Sequence, residues 1–351
     1  MLNTTSLQFD RPIPEATEPP ELRGSFRDAV RLLVSTPAGH HHSHFANLVN
    51  FLREGDLLVV NRSATFRASL PASGRRVGNF VLNLSSHYSS HDSGAAAESV
   101  WLAEPRWGYD VPGPLPLEPG DTFSVAGLRA TFLHRYPALP RLAFIRFEGD
   151  VLAAAQAQGT PIRYGYMRAA FGLEHYQSIF SEVPGSAEMP SAARPFTARV
   201  LKILTLRGIA HAAITLHTGV SSLGKADTLY PEPFSVPAET VAAIYQARAA
   251  GGRVVAVGTT VVRALESAFY EGRLHATEGF TRLYLRSGRT VNVVDGLITG
   301  FHAPEASHLE MLYAVAGETL VRDAYTEALA AGYLWHEFGD SHLILPERPP
   351  T

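Results

Sequence analysis

Polar breaks divide the chain into apolar runs of two kinds. In "FLREGDLLVVNRSATFRASLPA" a turn at Glu54-Gly55-Asp56 precedes four apolar residues, Leu57 to Val60, and a polar break follows at Asn61. That is the pattern of a buried strand ending in a loop. Between Gly78 and Phe147 the runs shorten and alternate, in "FVLNLSSH", "SVWLAEPRWG", "DTFSVAGLRATFLHRY" and "RLAFIRFEG", separated by Gly, Pro and Ser. Short strands at this spacing predict a small antiparallel barrel or sandwich, with "SSHYSSHDSGAAAES" as an exposed loop.

Beyond Asp150 the rhythm changes to strand then helix. "AAITLHTG", "RVVAVGTT" and "VVDGLITGFH" read as strands; "PAETVAAIYQARAAGG", "VVRALESAFYEG" and the long "SHLEMLYAVAGETLVRDAYTEALAAG" read as helices. Such alternation predicts parallel strands with crossover helices. Because "GDLLVVN" is a core strand of the same kind, the expected fold class is α/β. A discontinuous, barrel-like domain of largely parallel strands is expected over residues 1–72 and 150–351, with an antiparallel β-barrel inserted at 73–149. Pattern alone leaves two sequential domains as the alternative.

Hydrophobic residues make up 46% and charged residues 18% of the 351 positions, which suits a folded globular chain. No run approaches the roughly 18 apolar residues of a membrane span, and the amino terminus lacks a cationic start and apolar segment, so a cytoplasmic protein is expected. Cysteine is absent, which removes thiolate nucleophiles and cysteine metal sites. The net charge of −3 gives no global attraction to nucleic acid, so an RNA partner would require a local basic patch.

The chemistry-bearing residues concentrate where strands end. In a parallel sheet, ligands lie beyond the carboxyl ends of strands, where a glycine turn lets backbone amides and the next helix's amino end face them. Gly258, Thr259 and Thr260 occupy such a place; Thr260 is alternatively a helix cap. Arg263 and Glu266, three apart on the following helix, share a face. "VVDGLITGFHAP" carries Asp295 and, at its exit, His302, a candidate acid/base. His217 stands at a third strand end. The run "AGHHHSHF" reads as a solvated loop, since adjacent side chains of a regular strand or helix do not converge on one ion.

Taken in order, "FDRPIPE", "GDLLVVN", "YQSIFSEVPGS", "ITLHTG", "GGRVVAVGTTVVRALES", "VVDGLITGFHAPE" and "FGDSHLIL" resemble the S-adenosylmethionine:tRNA ribosyltransferase-isomerase family of queuosine biosynthesis over nearly the whole chain. The resemblance implies an α/β domain with an inserted barrel. It implies an enzyme without metal or resident cofactor that consumes S-adenosylmethionine as ribosyl donor, with tRNA as partner and no membrane. The ribosyl unit would pass to a 7-aminomethyl-7-deazaguanine in tRNA, giving epoxyqueuosine, adenine and methionine. A sulfonium acidifies the neighbouring 5′-carbon, so the site needs a modest base, an acid for adenine and polar groups for ribose and methionine. Candidate catalytic residues are His302, Asp295, Arg263 and Glu266; candidate substrate-binding residues are Asn61, His217, Gly258, Thr259, Thr260, Phe301, Gly339 and Asp340.

The chain departs from the family pattern at residues 61–70, 161–166 and 190–196, where Arg62, Ala64, Arg67, Ser69, Ala193, Arg194 and Pro195 stand. Tyr230 occupies the position of a family histidine, and His308 and Glu310 are introduced. A fold can keep its donor site and change its acceptor. Alternatives are therefore an S-adenosylmethionine-using enzyme with a small-molecule acceptor or simple cleavage of the donor, and a non-catalytic nucleoside- or RNA-binding relative.

Overall fold

In the computed structural model, residues 9, 12–88, 98–137, 139–220, 230–303 and 308–347 are described. Parts of the expected 85–99 loop, Pro304 and the 221–223 stretch of the His217 loop fall outside them.

The strand Leu57–Asn61 is buried along its whole length, as befits a strand covered on both faces. It pairs in parallel with Ala210–Leu216 on one side and Val254–Val257 on the other. Gly296–Gly300 extends the parallel set beyond Val254–Val257. Side-chain alternation distributes each strand between two cores. Leu57, Val59, Val254, Ala256 and Leu297 join the core beneath the helices Ala238–Ala249, Thr259–Ser267, His308–Ala316 and Glu318–Ala330. Leu58, Val60, Val255, Val257 and Ile298 join the opposite core, which includes Val200 and Leu204 of the helix Ala198–Leu206. The outcome is a three-layer α/β arrangement.

The large sheet has nine strands, and here the expectation needs correction. It is mixed rather than largely parallel: Ser341–Ile344 runs antiparallel to Gly296–Gly300, and Glu232–Val236 antiparallel to Ala210–Leu216. Nor does it close like a barrel, because Gly39–His44 and Thr277–Thr281 form its two edges. Antiparallel additions need no crossover helix, so short connections can add them to a parallel centre. The histidine run is corrected too: it is that edge strand, paired with Arg31–Thr36. His40 Nδ1 meets Ser35 Oγ at 2.9 Å, and His42 reaches Tyr333 Oη and Glu327 Oε1, both at 2.9 Å. The long terminal helix breaks at Gly317, whose φ of +82° caps the second segment.

Closure belongs to the inserted sheet. Six antiparallel strands form a closed barrel in the order Leu139–Glu148, Glu98–Arg106, Gly78–His87, Ser69–Gly74, Thr122–Val125 and Leu128–Tyr136. Its core holds Leu70, Leu82, Trp101, Phe123, Phe132 and Phe147, and extends to Val220 and Tyr230 of the α/β part. Tyr88 stacks on Phe280 at 5.3 Å and donates to Pro231 O at 2.5 Å, so the barrel is seated beside Glu232.

Candidate functional site

Four parallel strands end on one edge of the sheet, and their exits place Asn61, His217, Gly258 and the Phe301-His302 pair side by side. Gly258 takes φ +101° and is the N-cap of the helix Thr259–Ser267, with no side-chain cap. Thr260 is therefore not the cap. The first amides of a helix have no intrahelical acceptor, and such amides suit an anionic or oxygen-rich ligand. Nine residues make a marginal helix alone; Val261, Val262, Ala264 and Leu265, all fully buried, hold it to the sheet.

Asn61 ties three of these exits together. Its amide donates to Leu216 O at 2.8 Å and Thr260 Oγ1 at 3.3 Å, while its carbonyl accepts from Leu216 N at 3.1 Å and Ser63 N at 3.0 Å. His217, one residue on, meets Ser63 Oγ through Nδ1 at 2.7 Å. Burial holds its pKa below the usual imidazole value. The chain that replaces the family's 190–196 pattern passes over the same turn, since a Cβ on Gly258 would touch Ala192 at 3.4 Å.

His302 lies partly buried, its Nε2 3.0 Å from Thr299 Oγ1 and its ring stacked on His308 at 4.4 Å. Burial, reinforced by His308, His336 and His342, holds its pKa well below the ordinary value, so the ring is neutral near pH 7, with a nitrogen free to accept a proton although more weakly than an ordinary imidazole. His308 is held down to about 4 by burial and then by the positive charge of Arg263, with Glu232 opposing.

Arg263 and Glu266 do not bond to each other. The Arg263 guanidinium pairs with Glu232 and also donates to Leu283 O at 3.2 Å and Thr281 O at 3.4 Å. Glu232 in turn accepts from Gly219 N at 2.7 Å. Glu266 lies a turn further along, at the helix end remote from Gly258, and accepts from Asn292 N at 2.9 Å and Val293 N at 2.8 Å. Asp295 keeps it company: its carboxylate accepts from Val254 N at 2.8 Å. Val254 and Gly296 are the first residues of their strands, so Asp295 and Glu266 stand at the amino edge, a strand's length from His302.

Phe301 is core, stacked on His342 at 5.4 Å and packed against Tyr325, Tyr333 and Trp335. Asp340 accepts from Arg31 N at 2.7 Å, Arg31 Nε at 3.0 Å and Leu334 N at 2.8 Å. A Cβ on Gly339 would collide with Leu334 O at 2.4 Å, so this position needs glycine. Both residues border a small cleft with Ser191, Arg194, Gly300 and Glu337. Burial raises the Glu337 carboxyl to about 7, and its Oε2 is enclosed with no partner among the described residues. Glu337, Glu232, Ser63 and Ser186 stand outside the residues expected from the sequence. Only Glu232, a carboxylate beginning an apolar strand, carried a signal that could have marked it.

Departure at Arg194 has an internal cause. Its guanidinium donates to both oxygens of Glu21 at 2.9 Å and to His175 O at 2.9 Å, and lies over Phe338 at 4.8 Å. Burial disfavours the Glu21 charge, but Arg194 outweighs it and holds the carboxyl down to about 2. This arginine serves the scaffold. Among the described residues no three His, Asp or Glu side chains converge as a metal site, and no helix is long and apolar enough to cross a membrane.

The family model described as "Queuosine biosynthesis protein" matches residues 5–344. An S-adenosylmethionine:tRNA ribosyltransferase-isomerase of Thermus thermophilus is 36% identical over 329 residues, covering 91% of this chain and 93% of that one. Its namesake in Gloeobacter violaceus is 34% identical, with 96% and 95% covered. The crystal structure of the S-adenosylmethionine tRNA ribosyltransferase of Thermotoga maritima aligns with a TM-score of 0.53 at 28% identity, over 96% of this chain and 99% of that one. With strand exits, inserted barrel and sequence all in agreement, the chain belongs to the queuosine biosynthesis protein family.

Proposed function

We propose that this protein transfers and isomerises the ribosyl moiety of S-adenosylmethionine onto a 7-aminomethyl-7-deazaguanine in tRNA, giving epoxyqueuosine and releasing adenine and methionine. The observation that carries this reading, beside the family itself, is the polar edge where Asn61, His217, the Gly258 turn and His302 meet. The first amides of the helix at Thr259 suit the methionine carboxylate. Neutral His302 is the base we assign to the 5′-carbon, whose C–H bond breaks as the imidazole takes its proton. Adenine then leaves, taking up a proton, the acceptor amine attacks and gives one up, and methionine departs as the epoxide closes. Arg263 holds Glu232 in place and acts on the site through that carboxylate.

Residues 1–72 and 150–351 are taken as the catalytic part and 73–149 as the insert; the last barrel strand ends at Glu148, in keeping with the second bound, while the first, Ser69–Gly74, crosses the first bound. The test is to incubate the protein with S-adenosylmethionine, with and without tRNA bearing the precursor base, and follow adenine and methionine by mass spectrometry. Release that depends on that tRNA supports the proposal. Release without it points to cleavage of the donor or a small-molecule acceptor, and no release points to a binding protein.

A further inference from the structure

We infer that His217 is a hydrogen-bond donor through Nε2, its proton fixed there by a buried chain of hydroxyls, and that this N–H meets an acceptor atom of the donor's nucleoside half. The ligand part of this inference rests on the function proposed above.

The number of hydrogens fixes the direction of the chain. Ser186 is fully buried and Ser63 is 1% exposed. Their Oγ atoms are 2.6 Å apart, Ser63 Oγ is 2.7 Å from His217 Nδ1, and the Thr218 amide donates to Ser186 Oγ at 3.1 Å. Each hydroxyl has a single hydrogen to give. If the ring donated from Nδ1 to Ser63, the two hydroxyls would share one bond, and whichever of them accepted in it would keep an unused hydrogen; with Ser63 donating, that hydroxyl is Ser186. The Ser186 hydrogen would then have no acceptor among the described residues, a costly state for a buried donor. In the reverse order every hydrogen is used: Thr218 N–H to Ser186, Ser186 O–H to Ser63, Ser63 O–H to Nδ1. An imidazole whose Nδ1 accepts carries its one proton on Nε2 when neutral.

The ring is also clamped. It lies against the backbone of Gly185, where an added Cβ would come within 2.5 Å of Nδ1. Leu216 just before it is gripped at both N and O by Asn61, which also reaches Thr260. The Nε2–H therefore belongs to the same edge as the Gly258 turn. Helix-start amides suit an anion, whereas a neutral N–H suits a neutral acceptor such as a ribose oxygen or an adenine ring nitrogen. His217 is thus a binding residue, and Ser63 and Ser186 are positioning residues that set its tautomer.

Two measurements decide the matter. In protein labelled with ¹⁵N-histidine, the His217 spectrum near pH 7 is expected to show a protonated Nε2 and an unprotonated Nδ1, and Ser63→Ala is expected to mix the tautomers. A protonated Nδ1 in the wild type overturns the inference. Calorimetry with S-adenosylmethionine and with adenosine then tests the ligand: the glutamine amide nitrogen mimics Nε2, so His217→Gln is expected to bind both within about threefold of wild type, and His217→Phe roughly five- to tenfold more weakly. Equal losses in the two variants, or a loss confined to S-adenosylmethionine with adenosine unaffected, overturn the nucleoside assignment. If wild-type protein binds neither probe, the proposed function fails and the ligand part with it, while the spectrum still decides where the proton sits.

Discussion

The two edges of the large sheet carry polar residues of the same kinds and use them differently. At the amino edge, carboxylates are consumed by the backbone. Asp56 accepts from Arg53 N at 3.0 Å, Arg253 N at 2.9 Å and the Arg253 guanidinium, while Glu266 and Asp295 secure Asn292, Val293 and Val254. These groups satisfy strand entrances that would otherwise bury unpaired amides. At the carboxyl edge amide, hydroxyl and neutral imidazole groups stand beside the Glu232–Arg263 pair and Asp340, and a turn at Gly258 opens a helix start. One edge is a clasp; the other is the surface proposed for the ligand. Strand direction decides which is which, because crossover connections place the long turns and helix starts at the carboxyl ends.

Substitution at His302 gives the widest separation between the edges. His302→Gln is expected to lower the rate of adenine formation roughly hundred- to ten-thousand-fold, the usual worth of a general base, with thermal stability nearly unchanged; a rate within tenfold of wild type removes His302 from the chemistry. Arg263→Ala comes next. It leaves Glu232 enclosed without its cation, so urea unfolding is expected to show a loss of roughly 3–5 kcal/mol. Unaltered stability with weakened donor binding would move Arg263 from the scaffold to the ligand surface.

A smaller effect belongs to the amino edge itself. Glu266→Gln weakens charge-assisted bonds to two amides and is expected to cost about 2 kcal/mol in urea unfolding, with S-adenosylmethionine affinity by calorimetry unchanged in the folded protein. A matching fall in affinity would mean that the two edges are coupled. Thr259→Val with Thr260→Val is expected to lower affinity by calorimetry about fivefold and, because Thr260 Oγ1 accepts from the buried Asn61 amide, to cost about 1 kcal/mol in urea unfolding.

Acid sharpens the contrast from another side. His342, fully buried with Nε2 2.8 Å from Ser35 Oγ, is held down to about 3 by burial and then His40. The unfolded chain takes up its proton near 6.5, the folded chain only near 3. The stabilising effect of keeping this ring neutral is complete above 6.5 and is lost as pH falls from 6.5 towards 3. Melting temperature is expected to drop across that range, and His342→Leu should flatten the decline; an unchanged profile would show that other groups control it.

Much of this was legible in one dimension. Apolar runs of four or five residues bounded by turns marked the central strands, and alternation between Gly78 and Phe147 marked the barrel. Gly258 was legible because a strand followed at once by helix-forming residues needs a turn that only glycine enters without strain. The position of Asp295 was legible too, had the strand been given its direction: a residue before an apolar run enters the sheet, and one after it leaves. The histidine strand escaped because an edge strand with little burial has no apolar periodicity to display.

Sequence by itself determined the α/β class, the family and the strand exits, because these depend on local period, turn chemistry and ordered motifs. Only the tertiary structure decided partners. Arg263 finds Glu232 rather than Glu266, and Ser63 finds Ser186 and His217, pairs separated by many residues and joined by strand order. Hydrogen bonds and ion pairs act over a few ångströms in space, and no spacing along the chain encodes which distant strand will lie that close.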